Sequence, residues 1–382
     1  MKLIVASIPL FFILIGIELL ASRVLHRSVY AFADTLADLG CGIIEQLFSA
    51  LVKTALFAAY LWIYANGRLF ELSETSWLVF GATFIAVDFF YYWFHRTSHE
   101  IGALWAAHSV HHQSEEYNLA VALRQGSFQG LFSWAFYLPL ALVGVPPEVF
   151  ITCSALNTLY QFWIHTRLIG KLGPVEWIFN TPSHHRVHHA RNPRYIDRNH
   201  AGVLIIWDRM FGTFVEEQDE PVYGVVKPLR SVNPLWANFA TWKDLFAVAA
   251  RAPSFTDRGR VFLAAPGWRP AELGGPHIPP EVSRPKDAPE PVPVSRGLGA
   301  WVFANFVLML LLAAAALRRY AALDLPTFCG IAAVVTLSLV VLSGLLERKA
   351  WARPAEGVRL VALAALAAGP GLETVRLLLA NS

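Results

Sequence analysis

The chain has 382 residues, of which 55% are apolar and only 15% charged, with a mean hydropathy of +0.44, and this excludes an ordinary pair of soluble domains. A net charge of +3 from scattered basic residues argues against nucleic acid and leaves anionic headgroups as the plainer partner of its arginines. Cys41, Cys153 and Cys329 lie in or beside separate apolar stretches and form no CxxC pair, so neither a disulfide framework nor a thiolate metal site is implied.

A helix needs about 20 mostly apolar residues to cross the hydrocarbon of a bilayer. Candidates in chain order are Leu3–Ala21, Gly42–Ala65, Ser76–Phe94, Phe128–Val145, Val149–Trp163, Trp301–Leu317, Phe328–Leu346 and Val358–Leu379, which predict an all-α, multi-pass transmembrane bundle. No small-residue cleavage site follows Glu18, so the first stretch is expected to be a retained anchor. The fifth is short and is expected to start or end among the headgroups. Polar regions at roughly 95–127 and 166–299 interrupt the series. The fourth and fifth spans form a hairpin between them, turning at GVPPE (144–148), so both regions emerge on one face. Arg167, Lys171, Arg186, Arg191, Arg194 and Arg198 follow the fifth span closely, which makes that face cytoplasmic by the positive-inside rule. Arg318 and Arg319 fall on the wrong side of this count if three spans follow, so the last three are less constrained. A proline-rich stretch at 265–297 reads as a semi-extended linker between a core at 1–264 and C-terminal helices at 298–382, which carry no histidine and look like lipid-facing packing without chemistry. The alanine-rich composition suggests a bacterial inner membrane.

Histidine carries the chemistry. Of thirteen histidines, His95, His99, His108, His111 and His112 share one window of 18 residues, and His185, His188 and His189 share one of five. The spacings are HxxxH, HxxHH and HxxHH, and residues three or four apart share a helix face, so each cluster is expected to aim its imidazoles at one point. Thr181 and Pro182 mark a helix start, as N-cap and first helical residue, for the third cluster. At about 100° per residue, one unbroken helix would turn His95 and His99 away from His108, His111 and His112. A shared site therefore requires a break, and Gly102 is its expected place. Eight imidazoles exceed one tetrahedral ion, which takes four ligands, so two ions are the economical reading. Imidazole suits Fe, Zn, Cu and Ni alike. The sequence has no HExxH, which argues against a zincin, and no ExxH pair of a carboxylate-bridged ferritin-like site.

These motifs, with HEIGALWAAHSVHHQSEEYNLAVALRQ (99–125) and YQFWIHTRLIGKLGPVEWIFNTPSHHRVHHARNPRYIDRNHAGVLIIWDRMFGTFVEE (160–217), resemble the fatty acid hydroxylase/sterol desaturase superfamily, and within it the alkylglycerol monooxygenases and their bacterial relatives. The resemblance covers about residues 1–220. It implies an integral-membrane, non-haem di-iron oxygenase in which the eight histidines hold two irons, with His165 as a ninth ligand. His184 is left between ligand and orienting group. Glu100, Asn199 and Asp208 lie in segments similar to the superfamily's own and are candidates to accept the outward N–H of a metal-bound histidine, although Asp208 also suits a helix or turn cap.

The resemblance further implies that the enzyme uses O2 and an external reductant, a tetrahydrobiopterin-type pterin, to hydroxylate a lipid C–H bond within the bilayer. A glyceryl ether hydroxylated beside its ether oxygen falls apart to aldehyde and glycerol. Hydroxylation or desaturation of a fatty acid or sterol is the alternative in the same superfamily. Tyr91, Tyr92, Trp93, Phe94 and Trp105 are read as an interfacial aromatic belt, with a lipid entry as the second reading. A metal transporter would place its ligands near the bilayer midplane, whereas these clusters lie beyond the expected helix ends. A dinuclear-zinc lipid hydrolase would need neither oxygen nor reductant.

Overall fold

The computed structural model describes residues 2–283 and 293–368. Those residues form thirteen α-helices and no strand. The helices are α1 (Lys2–Val24), α2 (Phe32–Gly67), α3 (Trp77–Glu100), α4 (Gly102–His112), α5 (Gly130–Val143), α6 (Pro147–Trp163), α7 (Pro182–His188), α8 (Ile206–Met210), α9 (Pro234–Arg251), α10 (Phe255–Leu263), α11 (Arg296–Arg318), α12 (Leu325–Leu346) and α13 (Ala352–Ala368).

Five of them, α1, α2, α3, α11 and α12, are long and apolar enough to cross a membrane. Their outward faces carry large apolar side chains such as Ile13, Leu20, Trp77, Leu78 and Leu311, all more than half exposed, as lipid contact demands. The fourth and fifth expected spans are shorter than a crossing. At 1.5 Å per residue, α5 and α6 with 14 and 17 residues reach about 21 and 26 Å, against about 30 Å of hydrocarbon. Their turn at Gly144 is left-handed (φ 103°), and a Cβ there would lie 2.0 Å from the Phe70 carbonyl oxygen, so glycine is needed twice over. The turn is thereby fixed to the α2–α3 connection, which Leu69 reinforces by donating its N–H to Leu142 O at 2.8 Å. The eighth expected span begins within α13, and its remainder lies outside the described residues.

Helix α2 begins ten residues before its expected start. Its 36 residues extend about 54 Å, well past a bilayer core, and the added turns reach the polar region after α4. There Asp38 pairs with Arg124 at 3.0 Å, both fully buried, and Asp34 accepts from the Ser114 hydroxyl at 2.6 Å. Glu18 of α1 joins the same polar layer, accepting from Tyr30, Thr166 and the Leu119 N–H. The same half of α2 shares an apolar core with the C-terminal helices, in which Leu36, Ile43 and Leu47 meet Val302, Phe306, Met309, Phe328, Val335 and Leu339. The C-terminal helices thus bury one face against the core while leaving another to lipid.

The break between α3 and α4 falls where the histidine angles require it. Ile101 is extended (φ −121°, ψ 123°) and α4 restarts at Gly102. Gly102 donates its N–H to Ala264 O at 2.9 Å, and a Cβ there would come within 2.7 Å of Val261 O. The end of α10 therefore docks into the notch, satisfies an amide the break exposes, and admits only glycine.

Candidate metal centre

The helix break and the loop after α6 bring nine of the sequence-selected histidines together in two groups. His95, His99, His108, His112 and His188 form one, and His111, His165, His185 and His189 the other. In each group one ring nitrogen per residue lies within 4.8 Å of all the others, and every member is buried.

The grouping differs from the sequence expectation that each cluster serves one point. Helix α4 sends His108 and His112, four residues apart and on one face, to the first group, while His111 turns about 100° away to the second. Helix α7 does the reverse: His185 and the following His189 join the second group and His188 the first. The helices thus exchange their middle histidines, and the rings of His112 and His189 stack at 4.3 Å between the groups. Helix α3 adds His95 and His99, and His165 follows the end of α6.

Outward hydrogen bonds fix the tautomers. The Nδ1 atoms of His95, His111, His165 and His188 stand 2.7, 2.8, 2.7 and 2.9 Å from the carbonyl oxygens of His200, Arg124, Gln161 and Arg198. A carbonyl only accepts, so each Nδ1 carries the proton and each Nε2 presents a lone pair. His108 Nδ1 meets Gln129 Oε1 at 2.7 Å, and His99 Nδ1 meets Asp197 Oδ1 at 3.3 Å. The inward Nε2 atoms then face one another, His111 to His165 at 3.3 Å, His185 to His165 at 3.0 Å, His95 to His108 at 3.0 Å and His112 to His108 at 3.1 Å.

In the His111–His165 and His95–His108 pairs both Nδ1 protons are committed outward, so the opposed Nε2 lone pairs repel unless a cation lies between them. Two nitrogens about 2.1 Å from one ion stand about 3.0 Å apart at right angles and about 3.4 Å apart tetrahedrally. The residues present therefore fit two imidazole-bound metal ions. Burial is the main cause that holds the rings neutral: it lowers His108 and His165 to about 4, and with the neighbouring imidazoles it takes His111, His112, His185, His188 and His189 well below the usual histidine value. A neutral ring is the form that ligates.

The remaining sequence candidates take other positions. His184 belongs to neither group; its ring meets Phe214 edge-on at 5.4 Å, with Nε2 3.9 Å from Glu176. Thr181 is the N-cap residue of α7 and Pro182 its first residue, but the Thr181 hydroxyl donates to Glu176 at 2.8 Å instead of capping. Glu100 is not brought to a histidine: its half-exposed carboxylate pairs with Arg96 at 2.8 Å, one turn back on the solvent side of α3. Asp197 is the carboxylate beside His99. Asn199 and Asp208 touch no imidazole. Asn199 bonds His184 O and both polar atoms of the Val215 backbone, and Asp208 accepts from the amides of His200 and Ala201 and the Thr213 hydroxyl. Both pin the loop whose Arg198 and His200 carbonyls orient His188 and His95. Burial pushes Asp208 up to about 6 against those hydrogen bonds.

Sequence reasoning missed His200, Gln129, Asp197 and Asp88. His200 is fully buried with its ring 5.0 Å from that of His99, but it stands alone in sequence, without ligand spacing. Asp88, two helical turns before His95 on the same face of α3, accepts from Asn157, Val203, Leu204 and Trp207 and ties the 199–208 segment to α3 and α6. Of the aromatic belt, Tyr91 and Trp105 instead line the first group, their rings 5.2 Å from His95 and 5.0 Å from His99. Tyr117 covers the second, 5.2 Å from His189.

A family model described as fatty acid hydroxylase matches residues 80–213, a span that holds every histidine of both groups. The alkylglycerol monooxygenase of Xenopus tropicalis is 44% identical over 275 residues, covering 72% of this chain and 61% of that protein, somewhat under two thirds of its length. The alkylglycerol monooxygenase of Homo sapiens is 39% identical over 354 residues, 92% of this chain and 79% of that one. Ornithine lipid hydroxylase OlsE of Rhizobium tropici is 32% identical over 131 residues, 34% of this chain and 40% of that one. No solved structure matches. With a histidine-lined centre at the ends of membrane helices and relatives aligned along most of its length, the chain belongs to the fatty acid hydroxylase family, in the group of the alkylglycerol monooxygenases.

Proposed function

We propose that this membrane lipid monooxygenase acts on glyceryl ethers, hydroxylating the carbon beside the ether oxygen to a hemiacetal that falls apart to aldehyde and glycerol. The observation that carries the reading is the pair of buried histidine groups with inward lone pairs, in a chain 39% identical to human alkylglycerol monooxygenase over 92% of its length. In this reading two irons are bound, one by His95, His99, His108, His112 and His188 and one by His111, His165, His185 and His189. When bound, a di-iron centre supplies oxygen activation and oxidation of an unactivated C–H bond, with electrons from an external reductant of the reduced-pterin type.

The chain's own residues position and shield. The outward N–H bonds of His95, His111, His165 and His188 fix ring orientation before any metal arrives, and burial of all nine rings keeps water from the centre. His95 and His99 end α3 and His165 follows α6, so the site lies at one end of the membrane helices, within reach of a lipid that stays in the bilayer. The basic residues after α6 favour the cytoplasmic face, and the alanine-rich composition favours a bacterial inner membrane. The oxygenase unit is proposed as residues 1–264, followed by the 265–297 stretch, of which 284–292 lie outside the described residues, and by C-terminal helices that brace α2.

Metal analysis of the purified chain, with oxygen uptake measured on glyceryl ethers, fatty acids and sterols in the presence of a reduced pterin, tests this reading. Two irons per chain and ether-dependent uptake with aldehyde release are expected. Zinc alone, or uptake with sterols only, overturns it.

A further inference from the structure

The ligand arrangement leaves the His200 ring, beside the five-histidine group, unexplained. The backbone of His200 is clamped on both sides: its N–H donates to Asp208 at 2.8 Å and its carbonyl accepts from His95 at 2.7 Å. The preceding Asn199 holds a left-handed conformation (φ 55°), which sets the direction in which the ring leaves the chain. The ring is wholly buried, with centroid distances of 5.0, 5.6 and 5.8 Å to His99, His188 and His95, all members of the five-histidine group. Among the described residues, neither of its nitrogens makes a hydrogen bond of ordinary length and angle, and its one polar neighbour is the Asp197 backbone, in a weaker contact. A buried donor or acceptor left unsatisfied costs about 1–3 kcal/mol, so an imidazole without a well-formed hydrogen bond at either nitrogen is kept for a partner that the protein does not supply.

We propose that His200 donates an N–H hydrogen bond to the small oxygen or anion ligand held by the metal ion of the five-histidine group, and so positions that ligand; the proposal rests on the two-metal reading above. Five imidazoles on a six-coordinate ion leave one position. His200 falls outside the set of nitrogens that lie within 4.8 Å of one another, so it is too remote to fill that position itself. An exogenous atom about 2.1 Å from the ion would take a hydrogen bond from a donor about 2.8 Å farther on, so a ring beside the group but outside its ligand set is placed to reach it. His200 contacts three rings of the first group, and the four-histidine group lies beyond them, so the two ions differ: the first has a protein donor waiting for its open position.

The test uses the iron-loaded, oxidised full chain with azide as the probe anion, its affinity read from the azide-to-iron charge-transfer band. The variants are His200→Phe, His200→Leu and His200→Gln. Both apolar variants are expected to retain two metals per chain and to bind azide about tenfold more weakly at one of the two ions. His200→Gln keeps an N–H donor and is expected to recover most of that loss. Unchanged azide affinity in whichever apolar variant folds overturns the proposal. So does loss of one metal per chain in those variants, which would make His200 a ligand. A parent chain that binds no metal refutes the two-metal reading itself, a result distinct from a parent that binds two ions but whose variants behave alike.

Discussion

The exchange of middle histidines between α4 and α7 yields a prediction that sequence spacing alone would get wrong. His111 and His188 occupy the same place in two HxxHH motifs, and by sequence their alanine variants should behave alike. In the structure, His188→Ala reduces a five-nitrogen group to four, the number that the other group has natively, whereas His111→Ala reduces a four-nitrogen group to three. An apparent binding energy of about 10–16 kcal/mol over four ligands gives about 3 kcal/mol for each, or roughly a hundredfold in affinity. After dialysis against a chelator poised between these affinities, His188→Ala should keep two metals per chain and His111→Ala one, as read by elemental analysis. Turnover should fall at least a hundredfold in both. The two side chains are equally buried, at 3% and 5% exposure, so the cavities left by truncation cost about the same and cannot produce the asymmetry. Loss of one metal in each variant, or of both metals in either, would refute the assignment of these residues to separate groups.

Other substitutions probe the surroundings of the centre. Gln129→Leu removes the acceptor 2.7 Å from His108 Nδ1 and should weaken metal binding at the five-histidine group about 10–100-fold while sparing the other, which a metal titration resolves. Gly102→Ala forces a methyl to 2.7 Å from the Val261 carbonyl; α4 must shift, costing about 1–3 kcal/mol in thermal unfolding, and both groups should loosen together because α4 serves both. Arg124→Met leaves Asp38 as an unpaired buried charge and should cost about 3–5 kcal/mol, whereas the double variant with Asp38→Leu should recover much of that in a melting assay.

What the sequence made legible is what helix periodicity controls. The spacing of His95, His99, His108, His111 and His112 requires a break between His99 and His108, the glycine at 102 gives its place, and Thr181 and Pro182 mark the start of α7. Periodicity gives directions on one helix, however, and not which neighbour each direction meets, so the division of each HxxHH motif between two groups was out of reach. The hairpin shows a similar limit: α5 and α6 are apolar enough to read as spans, but the Gly144 turn and its contact with Phe70 set their length. His200, Gln129 and Asp197 gave no signal because their roles depend on loop paths that no periodicity encodes.

Those loop paths are where the site is secured. The acceptors that turn the Nε2 lone pairs inward are the carbonyls of Arg124, Gln161, Arg198 and His200 and the amide of Gln129, and none belongs to a histidine motif. Two of them sit on a segment that passes through left-handed residues at Asp197 and Asn199, a costly conformation for non-glycine residues. It persists because Asp208 holds two amides of that segment, Asn199 bonds across it, and Asp88 anchors its far end to α3 and α6. Asn157, which donates to Asp88, also accepts from Gln161, the residue whose carbonyl orients His165. One chain of hydrogen bonds therefore runs from the acceptor of His95 in the first group to that of His165 in the second. A disturbance at Asp88, with no imidazole in contact, is therefore expected to loosen metal binding at both groups, which a metal titration of Asp88→Asn checks.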